Sequence, residues 1–305
     1  MKLKQFLHRS SRIDVFELGQ KRLEQLKAEG RYSCYRNTRA TLCKLSKFRR
    51  GKPLPLGDVT PDLVADFREY MINELGNSHA TVTENIKILS TLLHRAGVQQ
   101  DPCAGLKLTR EEHRRNYLLE DELHRLMALR LEEDSLMAVA RDMFFVECRT
   151  GLRISDLLKL RWCNYDGETI RLKMQKTGRE VSVPATGNVR KTLEKYRNLF
   201  SEPEERIFPF LGKEEWRSGD FSCSRALMAA TGQVNQLVKL MASRAGIEKN
   251  VSTHVGRHTF ATMLLNKGAS IYEVKELLGH RDVKVTQVYA HLVDERKKEL
   301  IERLE

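Results

Sequence analysis

Apolar side chains recur at helical spacing along most of this chain, and only one short stretch switches to a period of two. The first helical run covers 12–29 and is stopped by Gly30. Ser33 can cap a second helix that runs to Arg50. At 100° per residue, Arg36, Arg39, Lys47 and Arg50 fall within about 80° of one another, with Leu42, Leu45 and Phe48 on the opposite side. Thr60 and Pro61 supply an N-cap and a first-turn proline for a third helix, which reaches Leu75 and ends at Gly76. Ser78 opens a fourth, ending at Gly97. Four helices with short joints predict a small all-α bundle over 1–100. The segment from Val98 to Arg115 holds Pro102 and Gly105 and is dense in charge, so 101–116 reads as a linker to a second domain over 117–305.

The second domain is predicted to be α+β. Helices begin near Leu119 and at Ser135, the latter running to Cys148 with Leu136, Val139, Met143 and Phe144 on its apolar side. Thr150-Gly151 breaks it, and Arg153 starts the next helix. Thr169–Met174 then alternates, with Ile170, Leu172 and Met174 on one face, and Val181 and Val183 repeat the alternation. With the turn signal Asp166-Gly167, this predicts a small antiparallel sheet of three strands carrying Lys176 at a hairpin tip. Helices resume at Gly187–Leu199 and Ser222–Ala245. Thr253 can cap a helix to Lys267, with Gly268 as its left-handed stop. Ser270 and Glu273 form a capping box for a helix ending at Gly279, with His280 in the turn beyond. Asp282 can start a short helix with Tyr289 near its end, and Asp294–Glu305 closes the chain as an amphipathic helix with Leu300, Ile301 and Leu304 on its stripe. The fold class expected is therefore mainly α, a four-helix bundle followed by an α+β domain.

Composition narrows the partners. The 305 residues carry a formal net charge of +12, which points to a polyanion. Residues 1–110 hold 20 Lys+Arg against 11 Asp+Glu, a net +9, so the first third is the stronger grip. Between Glu29 and Asp58 there are eight Lys or Arg and no acid. A merely solvated face mixes both signs, so Arg36, Arg39, Lys47 and Arg50 are expected to meet phosphates. The six cysteines include no CxxC pair and no zinc-like spacing with His, and they read as mostly buried thiols of a reducing compartment. No apolar run of 18 residues exists and the N-terminus lacks a long apolar core, so a cytoplasmic protein without a membrane span is expected.

Six side chains suit one reaction: Arg153, Lys176, His254, Arg257, His280 and Tyr289. Tyr289 can attack a phosphodiester and displace a sugar hydroxyl. The equatorial oxygens of the in-line transition state gain charge, which two arginines can neutralise while His280 adds a hydrogen bond. A mobile Lys176 can protonate the alkoxide that leaves, and His254 can accept or shuttle the tyrosine proton. No carboxylate cluster suited to Mg²⁺ is evident, so no cofactor is expected and cationic side chains would do a metal's work.

The stretches TGLRISDLLKLRW (150–162), QKTGREVSVP (175–184), THVGRHTFAT (253–262), LLGH (277–280) and VTQVYAHL (285–292) resemble the tyrosine recombinases, also called phage integrases, in order and spacing. The resemblance places Arg153, Lys176, His254, Arg257 and His280 in that family's active-site set, Tyr289 at its nucleophile and Asp156 at its supporting acid. It makes the first bundle a SAM-like core-binding domain. It implies a 3′-phosphotyrosyl link that frees a 5′-hydroxyl and needs no ATP. It also implies four protomers acting on two sites in double-stranded DNA through a Holliday junction, with C-terminal helices exchanged between protomers and DNA-bending accessory proteins as possible partners. About a dozen residues precede the first helix, so the resemblance is to the simple two-domain form, and no arm-binding domain is expected. Integration, excision or inversion of a DNA element is the expected outcome. A non-cleaving DNA-binding protein and a type IB topoisomerase are the alternatives; the full six-residue set weighs against the first and the compact core-binding domain against the second.

Overall fold

A computed structural model describes residues 13–105, 116–133, 135–175, 178–197, 202–212, 217 and 219–289. The expectations for Lys176 and for the stripe Leu300, Ile301 and Leu304 lie outside these residues. The chain divides into two compact units, Met1–His113 with Trp216–Arg225, and Arg114–Glu215 with Ala226–Glu305.

The first unit contains α1 (Val15–Ala28), α2 (Tyr32–Phe48), α3 (Pro61–Asn73) and α4 (His79–Arg95). Its core includes Val15, Leu45, Leu54, Val64, Phe67, Met71, Ile86, Leu89 and Leu93; of the apolar side read at helical spacing on α2, Leu45 is in this core and Phe48 packs against it. Thr60 and Ser78 cap α3 and α4 through their hydroxyls, as expected. Ser33 does not cap α2. The N-cap is Arg31, without a side-chain bond, and the helix stops at Phe48. Arg50 therefore lies past the helix end in the left-handed region, at φ 53°. Arg36, Arg39, Lys47 and Arg50 are all exposed, while Leu42 and Leu45 are buried. The segment Trp216–Arg225, which the sequence placed within the second domain, clusters with this unit. Phe221 sets its ring edge-on to Tyr32 and Tyr35, with centroids 5.1 Å away in each case.

The second unit is built on α6 (Leu136–Thr150), eleven of whose fifteen residues are buried and along which α10 (Thr253–Asn266) packs; Leu136, expected on its apolar side, is exposed because it stands in the first turn, ahead of the buried stretch. Around this pair stand α5 (Glu120–Met127), α7 (Ile154–Leu157), α8 (Gly187–Glu194), most of α9 (Phe221–Arg244) and α11 (Ile271–Leu278). The sheet has two strands among the described residues, β1 (Thr169–Lys173) and β2 (Glu180–Pro184), antiparallel with Ile170 opposite Val183. The expected third strand shrinks to one bridge, Tyr165 to Ile170, because Trp162–Asn164 winds into a 3-10 turn and takes its backbone out of the ladder. Only two cysteines, Cys103 and Cys148, are buried; Cys43 and Cys163 are exposed, which corrects the expectation of mostly buried thiols.

Two chain reversals bring the polar residues together. Gly151 ends α6 in the left-handed region, and Gly279 does the same for α11, whose capping box of Ser270 and Glu273 forms as expected. Thr253 is the first residue of α10 and not its cap. Ser252 takes the N-cap position, and the buried Thr253 N–H is satisfied by Asn235 Oδ1 at 2.9 Å. The short helix expected from Asp282 is two 3-10 turns, Val283–Val285 and Gln287–Tyr289.

At Gly279 a Cβ would lie 2.7 Å from Met174 Sδ and 3.0 Å from Val181 Cγ1, at a φ of +60°. Gly279→Ala should therefore destabilise the fold by about 2 kcal/mol or more, from backbone strain and overpacking together. Urea melts of the two proteins would measure this; equal midpoints would contradict it.

Candidate active site

Arg257 lies at the centre of the site. It is 7% exposed, one turn into α10. Its Nη1 donates to the Gly151 carbonyl and its Nη2 to the Leu278 carbonyl at 2.5 Å. Those carbonyls sit at the C-terminal ends of α6 and α11, where helices leave unpaired acceptors and partial negative charge. Burial, and then the neighbouring Arg153, pull the Arg257 pKa down to about 10, against the favourable charges of Tyr289, Glu147 and Asp156. At neutral pH the guanidinium stays charged.

Arg153 is the N-cap of α7, directly beyond the Gly151 turn. Its Nη1 donates to Met174 Sδ at 2.9 Å, which sets it against the end of β1. Burial lowers its pKa, and Asp156 opposes that shift. Asp156 is buried and its Oδ1 accepts the Gln175 N–H at 3.1 Å, tying α7 to the residue that precedes Lys176. Lys159 also faces Asp156, and burial lowers its pKa.

His280 is buried in the turn after α11, with Nδ1 2.9 Å from Thr286 Oγ1. Arg179, at the end of the hairpin turn, donates to the His280 carbonyl at 2.7 Å and pairs with Glu276 at 3.2 Å. Tyr289 is 4% exposed, with its ring among Phe260, Ala261, Leu265, Val274 and Leu278. Its phenol oxygen is hydrogen-bonded to Nδ1 of His258, the two rings meeting edge-to-face at 5.6 Å between centroids. His254, one turn earlier on α10, is exposed.

The structure thus gathers Arg153, Asp156, Arg257 and Tyr289 into one electrostatic neighbourhood and sets His280 at the end of the helix that Arg257 grips. Four contributors escaped the sequence reading. Arg179 was only a turn residue and Thr286 only a helix residue. His258 follows Arg257 directly and stands four residues after His254, so helical spacing put both imidazoles on one face. Glu147 is in the apolar run of α6, where an acid at a core position was the available signal.

Glu147 is 1% exposed, and its Oε2 has no hydrogen-bond partner among the described residues. Burial pushes its carboxyl well above the ordinary range, against the pull of Arg257 and the Ile154 N–H. A folded-state pKa raised above the unfolded one means that the folded chain holds the proton longer, so stability falls as pH climbs past about 4 to 5. Glu147→Gln removes this term. The melting temperature of the variant minus that of the wild type should grow between pH 5 and pH 8; a difference that is flat or shrinks with pH would contradict the assignment.

The chain is similar to known proteins over most of its length. Residues 116–296 match the phage integrase family and residues 14–100 its SAM-like domain. The tyrosine recombinase XerD of Shewanella oneidensis is 32% identical over 274 residues, covering 86% of this chain and 87% of the relative. XerD of Vibrio vulnificus strain YJ016 is 27% identical over 284 residues, covering 91% and 90%. Among solved structures, a lambda integrase(75-356) dimer bound to a COC′ core site superposes with a TM-score of 0.68 at 18% identity, covering 91% of this chain and 95% of that one. The Tn1549 transposon integrase in complex with transposon right end DNA gives 0.67 at 18%, covering 96% and 99%; at such identities the likeness is one of fold. By family match and by relatives that span most of its length, the chain belongs to the phage integrase family and is a site-specific tyrosine recombinase.

Proposed function

We propose that this recombinase cuts and rejoins double-stranded DNA through a 3′-phosphotyrosyl ester on Tyr289. The observation that carries the reading is the closeness of the Tyr289 phenol to Arg257, itself beside Arg153, with Tyr289 and Arg257 both buried. Tyr289 Oη attacks phosphorus and the sugar 5′-oxygen leaves. Arg153 and Arg257 take the charge that builds on the non-bridging oxygens, from the starts of α7 and α10. With the Thr286 hydroxyl donating to Nδ1, His280 keeps its proton on Nε2 and can donate to the same phosphate. His254, exposed in the first turn of α10, supplies a further donor. Lys176 is assigned as the acid for the leaving oxygen. Asp156 acts by holding the backbone beside that lysine.

The first bundle, over 1–100, is assigned as the core-binding domain, joined by 101–116 to the catalytic domain over 117–305. The exposed basic residues Arg36, Arg39, Lys47 and Arg50 are its phosphate contacts. A lambda integrase tetramer bound to a Holliday junction shares the fold, and that likeness supports a four-protomer assembly on two sites here. No helix among the described residues is long and apolar enough to cross a membrane, and we place the reaction in the cytoplasm, on nucleoid DNA.

Target sites can be mapped by recovering protein-linked DNA ends. On a nicked duplex built from such a site, Tyr289→Phe should bind with wild-type affinity and form no covalent adduct. An adduct surviving in that variant would remove Tyr289 from the mechanism. Replacing Arg36 and Lys47 together by Ala should flatten the plot of log affinity against log salt by about one unit for each phosphate no longer neutralised. An unchanged slope would mean that α2 faces water.

A further inference from the structure

The family match accounts for the arginines, but it does not say where the phenol proton of Tyr289 goes. An attacking phenol holds its proton at neutral pH, with an ordinary pKa of about 10, so an acceptor in contact with Oη is needed. His258 is in such contact. Its Nδ1 is hydrogen-bonded to Tyr289 Oη, and its ring meets the phenol edge-to-face. The geometry of the pair follows from the backbone. His258 is anchored on α10, next to Arg257, whose guanidinium grips two helix ends. Tyr289 closes a 3-10 turn, and its ring is wedged against Phe260 and Leu278. Both partners are thus held from behind, and His258 is half-buried where His254 is exposed. Sequence position favours His254 for this task because it opens the helix; His258, one turn along, is hydrogen-bonded to the phenol.

Resting on the recombinase reading above, we infer that His258 is the general base that removes the phenol proton of Tyr289 as it attacks. The neutral imidazole carries its proton on Nε2 and accepts at Nδ1. As the Oη–P bond forms, the Oη–H bond breaks and that proton passes to Nδ1, giving an imidazolium. The P–O5′ bond breaks in the same displacement, and the leaving oxygen takes its proton from a separate acid, Lys176. On rejoining, the 5′-hydroxyl returns a proton to the lysine, and the imidazolium restores the phenol. Each half-reaction therefore leaves the protein one proton transfer away from its partner state, with no outside reactant.

The test uses the full-length protein and the nicked duplex already described. Asn places a polar atom where Nδ1 lies but cannot take up a proton. His258→Asn should bind the duplex as the wild type does and form adduct at least about 100-fold more slowly. A second duplex, with sulfur in place of the bridging 5′-oxygen, needs no acid because a thiolate leaves readily. On it Lys176→Ala should recover most of its rate, whereas His258→Asn should not. Adduct formation by His258→Asn within threefold of wild type overturns the inference, and so does its rescue by the sulfur duplex, which would put His258 on the leaving-group side. Should the Asn variant melt early, His258→Gln is carried through the same two duplexes. A wild-type protein that forms no adduct would instead sink the recombinase reading itself, which separates the two failures.

Discussion

A charged guanidinium below the surface is the constraint on which this active site rests. Arg257 has lost most of its water, and a buried cation without compensation costs several kcal/mol. Compensation comes from two backbone carbonyls, each at the C-terminal end of a helix, where unpaired acceptors and the macrodipole both favour positive charge. The two helix ends are consequently fixed to α10 and to each other. The reversals that follow them, at Gly151 and Gly279, deliver Arg153 and His280.

The choice of neutral acceptors has a chemical consequence. A carboxylate paired with each arginine would cancel the charge that a phosphate needs. Here Arg257 donates to carbonyls and Arg153 to a thioether. Among the described residues neither nearby acid is hydrogen-bonded to either guanidinium. Asp156 uses Oδ1 on the Gln175 N–H, and Glu147 is biased towards its protonated form by burial. The pocket stays cationic while its members remain ordered, as electrostatic stabilisation by preorganised groups requires.

Much of this was legible in the chain itself. Apolar spacing and capping residues located the helices of the first bundle, and the capping box at Ser270 placed α11 to the residue. Arg153, Arg257, His280 and Tyr289 were marked by residue type and position, and the fold brings the first, second and last near one another. What failed was where local propensity met tertiary demand. Ser33 and Thr253 are good caps in isolation, but Arg31 and Ser252 hold those positions. A third strand was read before Asp166, where the chain folds into a 3-10 turn instead. Helical spacing set His258 on one face with His254, and an acid in an apolar run marked Glu147, but neither signal told which groups they meet: Tyr289 lies 31 residues from His258, and Arg257 acts on Glu147 from 110 residues away. Contacts at such separation are a property of packing and leave no local pattern.

Thr286, fully buried, faces two ways. Its hydroxyl meets His280 Nδ1, and its carbonyl accepts the Tyr289 N–H at 3.1 Å. One small residue thereby couples the orientation of the His280 imidazole to the position of Tyr289. A shift that carries the Tyr289 segment away strains both bonds at once, so on the mechanism proposed above the two side chains enter or leave register together.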